Sequence, residues 1–379
     1  MSGRAYLDHA SASPLRDGVA EAMAPWLGAA DPGRVHTEGR TARFALEQAR
    51  TSIAESLGCR SSREVVLLSS LAEAAATMSA WATERTPGGV VAASAIEHSA
   101  LRLSGEAWAA RSGGGLVDLA LDPTALVDLD ALDAILVAAR PIALVHIQWG
   151  NQETGAIQPI AEVIGRCRRA RVLVHVDATQ AAGRCPIDFA ALDADLVTVA
   201  APEVGGPRGV AALLVRRGLR LDPLLLGGAQ ERARRAGLED IAGAVGFACA
   251  LSAVDPAIEG ARQAALTERT IAGLRRLDGV SVITPIHAAA RLPHLTCCTF
   301  EGVEAEPVLL GLDQAGIAAH SGSACSSEVL EPSPVLAAIG AAADRSLRTS
   351  VGWTSTEADV DRYLAVLPEV LRSLLALRS

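Results

Sequence analysis

Short unbroken apolar runs alternate with stretches of helical spacing along most of this chain, and that rhythm constrains the fold more than any other feature. Residues 65–69, 90–93, 143–148, 172–176, 195–199 and 210–215 are runs of strand length flanked by turn residues. Unbroken apolarity marks strands covered on both faces. Between them, residues 41–57, 72–83, 100–110, 129–139 and 160–170 repeat apolar positions at helical intervals. Strand, helix, strand in sequence predicts an α/β fold with a mainly parallel sheet wrapped by helices, and sites at the carboxyl ends of its strands.

Beyond residue 255 the pattern changes to a long helix over 256–276, β runs at 280–284, 295–300 and 347–352, and a last helix opening at Thr356. This predicts a smaller α+β domain built from residues 1–15 and 255–379, beside a large domain over 16–254. The breaks at 86–89 and 112–115 read as loops inside the large domain. At 379 residues the chain has ample length for both domains.

Charge and composition exclude several classes. A net charge of −9 disfavours a broad nucleic-acid face. The arginine clusters at 166–171, 216–220 and 232–235 are interspersed with acids and read as solvated helix ends or interface ion pairs. No apolar run approaches the roughly 20 residues of a membrane helix. The N-terminus lacks the basic and apolar blocks of a secretory signal, so a cytoplasmic location is expected. Seven cysteines (59, 167, 185, 249, 297, 298 and 325) form no C-x-x-C pair, and eight histidines show no metal-ligand spacing. Neither a disulfide framework nor a metal site is expected. All 34 basic residues are arginine. No side-chain amine therefore exists to form an imine with a carbonyl cofactor.

An ordered set of motifs gives the most specific signal. Tyr6-Leu7-Asp8-His9-Ala10, residues 36–43, Ile96-Glu97-His98, Asn151-Gln152-Glu153-Thr154-Gly155 and His175-Val176-Asp177-Ala178-Thr179-Gln180 come first. Gly206-Pro207-Arg208-Gly209, Gln230-Glu231-Arg232, Ser321-Gly322-Ser323-Ala324-Cys325 and Ser346-Leu347-Arg348 follow. Together, and in this order, they resemble the cysteine desulfurases, pyridoxal-phosphate enzymes of the class V aminotransferase group with the aminotransferase-like fold. The resemblance implies that His98 stacks on the cofactor ring, Asp177 pairs with the ring nitrogen and Gln180 contacts the ring hydroxyl. It further implies that Arg348 clamps the substrate carboxylate and that Cys325, on a polar Gly/Ser loop, attacks the substrate sulfur as a thiolate and carries a persulfide. Taken singly, His98 could be a satisfied structural histidine, Asp177 a cap and Arg348 a surface charge. Cys297 and Cys298 sit in a strand run, where packing is the better reading.

The pattern departs from the family where the cofactor would be tethered. The family's lysine aligns with Glu203 in Ala200-Ala201-Pro202-Glu203, and its ring-side asparagine with Gln152. The family's phosphate donors align with Ser70-Leu71-Ala72, Ala200, Pro202 and Leu238. A carboxylate makes no imine and adds negative charge beside an anionic cofactor. These departures predict a pseudo-desulfurase that binds no cofactor and relays sulfur through Cys325 independently of pyridoxal phosphate. One alternative is a scaffold or regulatory dimer partner of an active desulfurase or accessory protein. Another is a weak desulfurase that holds pyridoxal phosphate non-covalently, with Glu203 as its base. A homodimer and a sulfur donor or acceptor protein are the expected partners.

Overall fold

A computed structural model describes residues 3–321 and 333–377. Its centre is a seven-stranded sheet of β2 (Val65–Leu68), β3 (Val90–Ser94), β4 (Gly115–Leu119), β5 (Ile142–Gln148), β6 (Val174–Asp177), β7 (Leu196–Ala200) and β8 (Ala211–Val215), following a short N-terminal strand β1 (Ala5–Tyr6). The spatial order is β2-β8-β7-β6-β5-β3-β4, and only β8 runs antiparallel to its neighbours. Strands β3, β6, β7 and β8 are buried at every position; β8 is accordingly apolar throughout and β3 and β7 nearly so, whereas β6 buries His175 and Asp177 in alternation with its valines.

Helices Thr37–Ser56, Leu71–Arg85, Ser99–Arg111 and Ile160–Ala170 flank this sheet, close to where their periodicity predicts them. Two of them open on caps that later matter for the site. Ser70 Oγ accepts from the Glu73 amide at 3.2 Å, and His98 Nδ1 accepts from the Ala100 amide at 3.1 Å. Each cap satisfies a backbone donor that the helix leaves without a partner.

A second sheet pairs β9 (Val280–Val282), β10 (Leu295–Phe300) and β12 (Ser346–Ser350) antiparallel, in the order β12-β10-β9. Helices Pro256–Leu274, Ala305–Gln314 and Glu357–Ala376 belong to the same region. Its apolar cluster joins Leu274, Val308, Leu312, Val360 and Tyr363 to Ala5 and Leu7 from the chain's start. β1 reaches it by pairing parallel to β11 (Ile317–Ala318).

Among the elements that escape the sequence reading, two show why it fails. The edge strand β4 begins at Gly115, where a loop is expected; it pairs only with β3 and mixes Asp118 among half-buried residues, so it carries no unbroken apolar run. Helix Ile241–Ser252 is apolar almost all round because it is buried at nine of its twelve positions, which erases the helical period. Among the described residues no single helix is long and apolar enough to cross a membrane.

Candidate functional site

The carboxyl ends of the central strands converge on one cavity of about 390 Å³. β3 leads to His98, β5 to Gln152, β6 ends on Asp177 and β7 leads to Glu203; Arg348 enters from β12 of the second sheet. All five line this cavity, together with Gln180, Ser69, Ser70, Ala200 and Pro202. Ligand sites in open α/β sheets form at such strand ends.

The hydrogen bonds fix which atoms face the cavity with capacity to spare. Acceptance from Ala100 leaves the proton of neutral His98 on Nε2. Asp177 Oδ1 accepts from the Thr179 amide at 3.0 Å and from the Thr179 hydroxyl. Burial pushes the Asp177 carboxyl up despite those two donors, and burial pushes His98 down while the Asp177 charge pulls it back. Gln180 is spoken for: its Nε2 donates to Ala10 O at 2.9 Å and its Oε1 meets His294 Nε2 at 3.0 Å.

Arg348 is almost wholly buried. Its Nη1 donates to Gln152 O at 2.9 Å, and its Nη2 to Asp8 Oδ1 at 3.0 Å and Ser11 Oγ at 2.6 Å, while Nε has no partner. Gln152 Nε2 and Glu203 Oε2 are likewise shut off from solvent without a partner. Three unpartnered, buried polar atoms on residues that line one cavity are a costly arrangement, because each has given up its hydrogen bonds to water.

Burial pushes the Glu203 carboxyl up to about 7, and the Asp177 charge adds to the effect; its own backbone and Arg184 oppose it. Arg184 is a residue that the sequence reading missed. It lies buried beneath the cavity, donating to Gln180 O at 3.3 Å, His9 O at 3.3 Å and Glu203 O at 2.9 Å. Glu97 was missed too. It is buried beside His98 and pushed up to about 8 by burial, with Ser94 donating to Oε1 at 3.3 Å and Oε2 unpartnered. A run of small apolar residues before Glu97 was the available signal that this carboxyl is buried.

Leu238 stands apart from the other aligned positions. It is largely exposed and lines a neighbouring cavity with Glu231 and Arg235. Cys325 lies outside the described residues. Cys297 and Cys298 are buried in β10; burial drives the Cys297 thiol well up and Cys298 to about 12, so both are packed, unreactive thiols.

The aminotransferase class-V family model matches residues 5–363. The chain is 40% identical over 381 residues to an IscS-like cysteine desulfurase of Mycobacterium tuberculosis, covering 96% of this chain and 95% of the relative. It is 36% identical over 382 residues to a cysteine desulfurase IscS of Methanosarcina thermophila, covering 97% and 92%. A solved NifS-like protein superposes with a TM-score of 0.87 at 27% identity, over 98% of this chain and all of the other.

These findings correct one expectation. A chain without a cofactor is not what they support, because the class V desulfurases are a pyridoxal-phosphate family and the match runs through the whole cavity-forming region. The residues present fit such a ring without a covalent tether. The volume lies within the range of small-molecule sites. Asp177 is a buried carboxylate suited to a cationic ring nitrogen, and His98 is held in one orientation. The chain belongs to the class V aminotransferase family and is similar over nearly its full length to that family's cysteine desulfurases.

Proposed function

We propose that this protein transfers sulfur from a small thiol-bearing carboxylic acid, using a pyridoxal-phosphate site in which the cofactor is held non-covalently and Glu203 handles the proton. The observation that carries this reading is Glu203 Oε2, orphaned in the same cavity as His98, Asp177 and Arg348. Bound pyridoxal phosphate supplies an electron-accepting ring. His98 would lie against that ring, Asp177 would hold its nitrogen protonated and Gln180 would border its hydroxyl. The opening backbone of helix Leu71–Arg85 and the hydroxyls of Ser69 and Ser70 would hold the phosphate.

Arg348, a cation that lines the cavity, suits the donor's carboxylate. Glu203, titrating near neutrality, suits the exchange of a proton with the donor's carbon. Cys325 accepts the sulfur and holds it as a persulfide. Exposed Val35, Phe44, Leu226 and Leu238 support pairing of two copies, as apolar surface of this kind favours association.

A second reading has Cys325 take sulfur from a partner desulfurase by thiol exchange. It draws support from Arg348, whose Nη2 is already occupied by Asp8 and Ser11. Calorimetric titration with pyridoxal phosphate, followed by incubation with cysteine and then with mercaptopyruvate, tests the first reading. Binding, together with a gain of about 32 Da on the Cys325 peptide that disappears in Cys325→Ser, is the expected result. Absence of binding, with that gain appearing only when a persulfidated desulfurase is added, would replace it by the relay.

A further inference from the structure

Glu203 does more than leave a gap where an amine is expected. Its carboxyl borders the cavity with Oε2 unpartnered. Arg184 brings the nearest cationic influence, but its guanidinium donates to the Glu203 backbone oxygen at 2.9 Å rather than completing Oε2. Arg348, which does line the cavity, is tied to Asp8 at 3.0 Å. A carboxyl group therefore lines the cavity with no donor of the protein assigned to its Oε2.

The position matters as much as the charge. Where the family presents a lysine to the cofactor's aldehyde carbon, this chain presents a carboxylate. An aldehyde oxygen and a carboxylate are both acceptors, so they repel across that gap. An aminomethyl group at the same carbon is an ammonium at neutral pH, and it donates to a carboxylate in a charge-assisted hydrogen bond. It also neutralises an anion that burial otherwise penalises.

We propose that the cavity selects the amine form of the cofactor, pyridoxamine 5′-phosphate, over the aldehyde form, with the Glu203 carboxylate receiving the ammonium. The inference rests on the non-covalent cofactor site proposed above and specifies which ligand fills it. His98 and Asp177 recognise the ring common to both forms, so discrimination falls on Glu203 alone. A site filled by the amine form takes an α-keto acid as its co-substrate, because the carbon that would receive an amino acid's nitrogen already carries one.

Titration calorimetry of the full chain with pyridoxamine 5′-phosphate and with pyridoxal 5′-phosphate, each at pH 8, reads the selectivity directly. The wild-type protein should bind the amine form at least about tenfold more tightly, the worth of one charge-assisted hydrogen bond. Glu203→Gln should bring the two affinities within about threefold of each other, by weakening the amine form and relieving the repulsion that the aldehyde form meets. Retention of aldehyde binding also reports that the variant is folded. Equal or tighter wild-type binding of the aldehyde form overturns the selectivity yet leaves the non-covalent site standing, as does a preference that survives Glu203→Gln. Failure of both forms to bind the wild-type protein overturns the site and the selectivity together.

Discussion

Arg348 Nη2 donates to Asp8 Oδ1 at 3.0 Å, joining residues 340 positions apart in the chain. The guanidinium is almost wholly buried, whereas the Asp8 side chain keeps 17% of its surface in water. That asymmetry yields an ordered prediction. Asp8→Ala strands a buried cation and should cost about 3 kcal/mol or more. Arg348→Met leaves a carboxylate that water still reaches and should cost less. Urea unfolding of both variants checks the order, and a reversed ranking would refute the account.

Two buried carboxyls set a pH dependence. Glu203 and Glu97 are raised from an ordinary 4.5 to about 7 and about 8. The native state then holds protons that the unfolded chain has released, so these groups lend stability below about pH 4.5 and lose it as pH climbs towards 8. The melting temperature should fall across that window from their contribution. Combining Glu97→Gln with Glu203→Gln should flatten the fall; an unchanged slope in the double variant would show that neither carboxyl is responsible.

Glu231 closes a buried pair with Arg50, accepting at 2.8 Å through Oε1, and its Oε2 also accepts from the Leu67 amide at 2.9 Å. Glu231→Ala removes the counter-charge and a strand-edge acceptor together. The expected cost is about 3–5 kcal/mol. Replacing Arg50 and Glu231 jointly by methionine and leucine should recover most of it, which chemical denaturation would register.

His98 has two separable jobs. Asparagine at this position keeps a side-chain acceptor for the Ala100 amide, so His98→Asn should leave the melting temperature nearly unchanged while weakening pyridoxal-phosphate binding through loss of the stacking ring. His98→Ala loses the cap as well, at about 1 kcal/mol. Equal melting temperatures for the two variants would argue against the capping role.

Thiol chemistry should discriminate sharply among the cysteines. Burial raises Cys59, Cys167 and Cys298 to about 12 and Cys185 to about 11. Iodoacetamide at pH 7.5 should spare these four and label Cys325 first, as peptide mapping would reveal. Early labelling of Cys298 would contradict its place in the packed strand β10.

The legible parts of the fold were those where burial acts on a whole element. β5 and β7 announce themselves because both faces are covered, and helix Ile160–Ala170 because one face is. β4 and helix Ile241–Ser252 fail for opposite reasons, one partly wetted and one buried nearly throughout. At the site, His98, Asp177, Gln152, Gln180, Glu203 and Arg348 were named from motifs, and the structure brings all six to one cavity. Arg184 and His294 were not, because each acts through backbone or amide contacts that only the folded chain assembles. The expected absence of a cofactor came from weighing the missing amine above the retained ring side.

Gln180 spans three segments at once, with one end of its amide on Ala10 and the other on His294 just ahead of β10. Whatever molecule competes for that amide must loosen the grip between the first dozen residues and the second sheet, and the grip in turn must resist the competitor. Occupancy of the cavity and local unfolding of the chain's beginning are thereby thermodynamically linked. Deuterium uptake near Leu7 and His294 becomes a remote gauge of what the pocket contains.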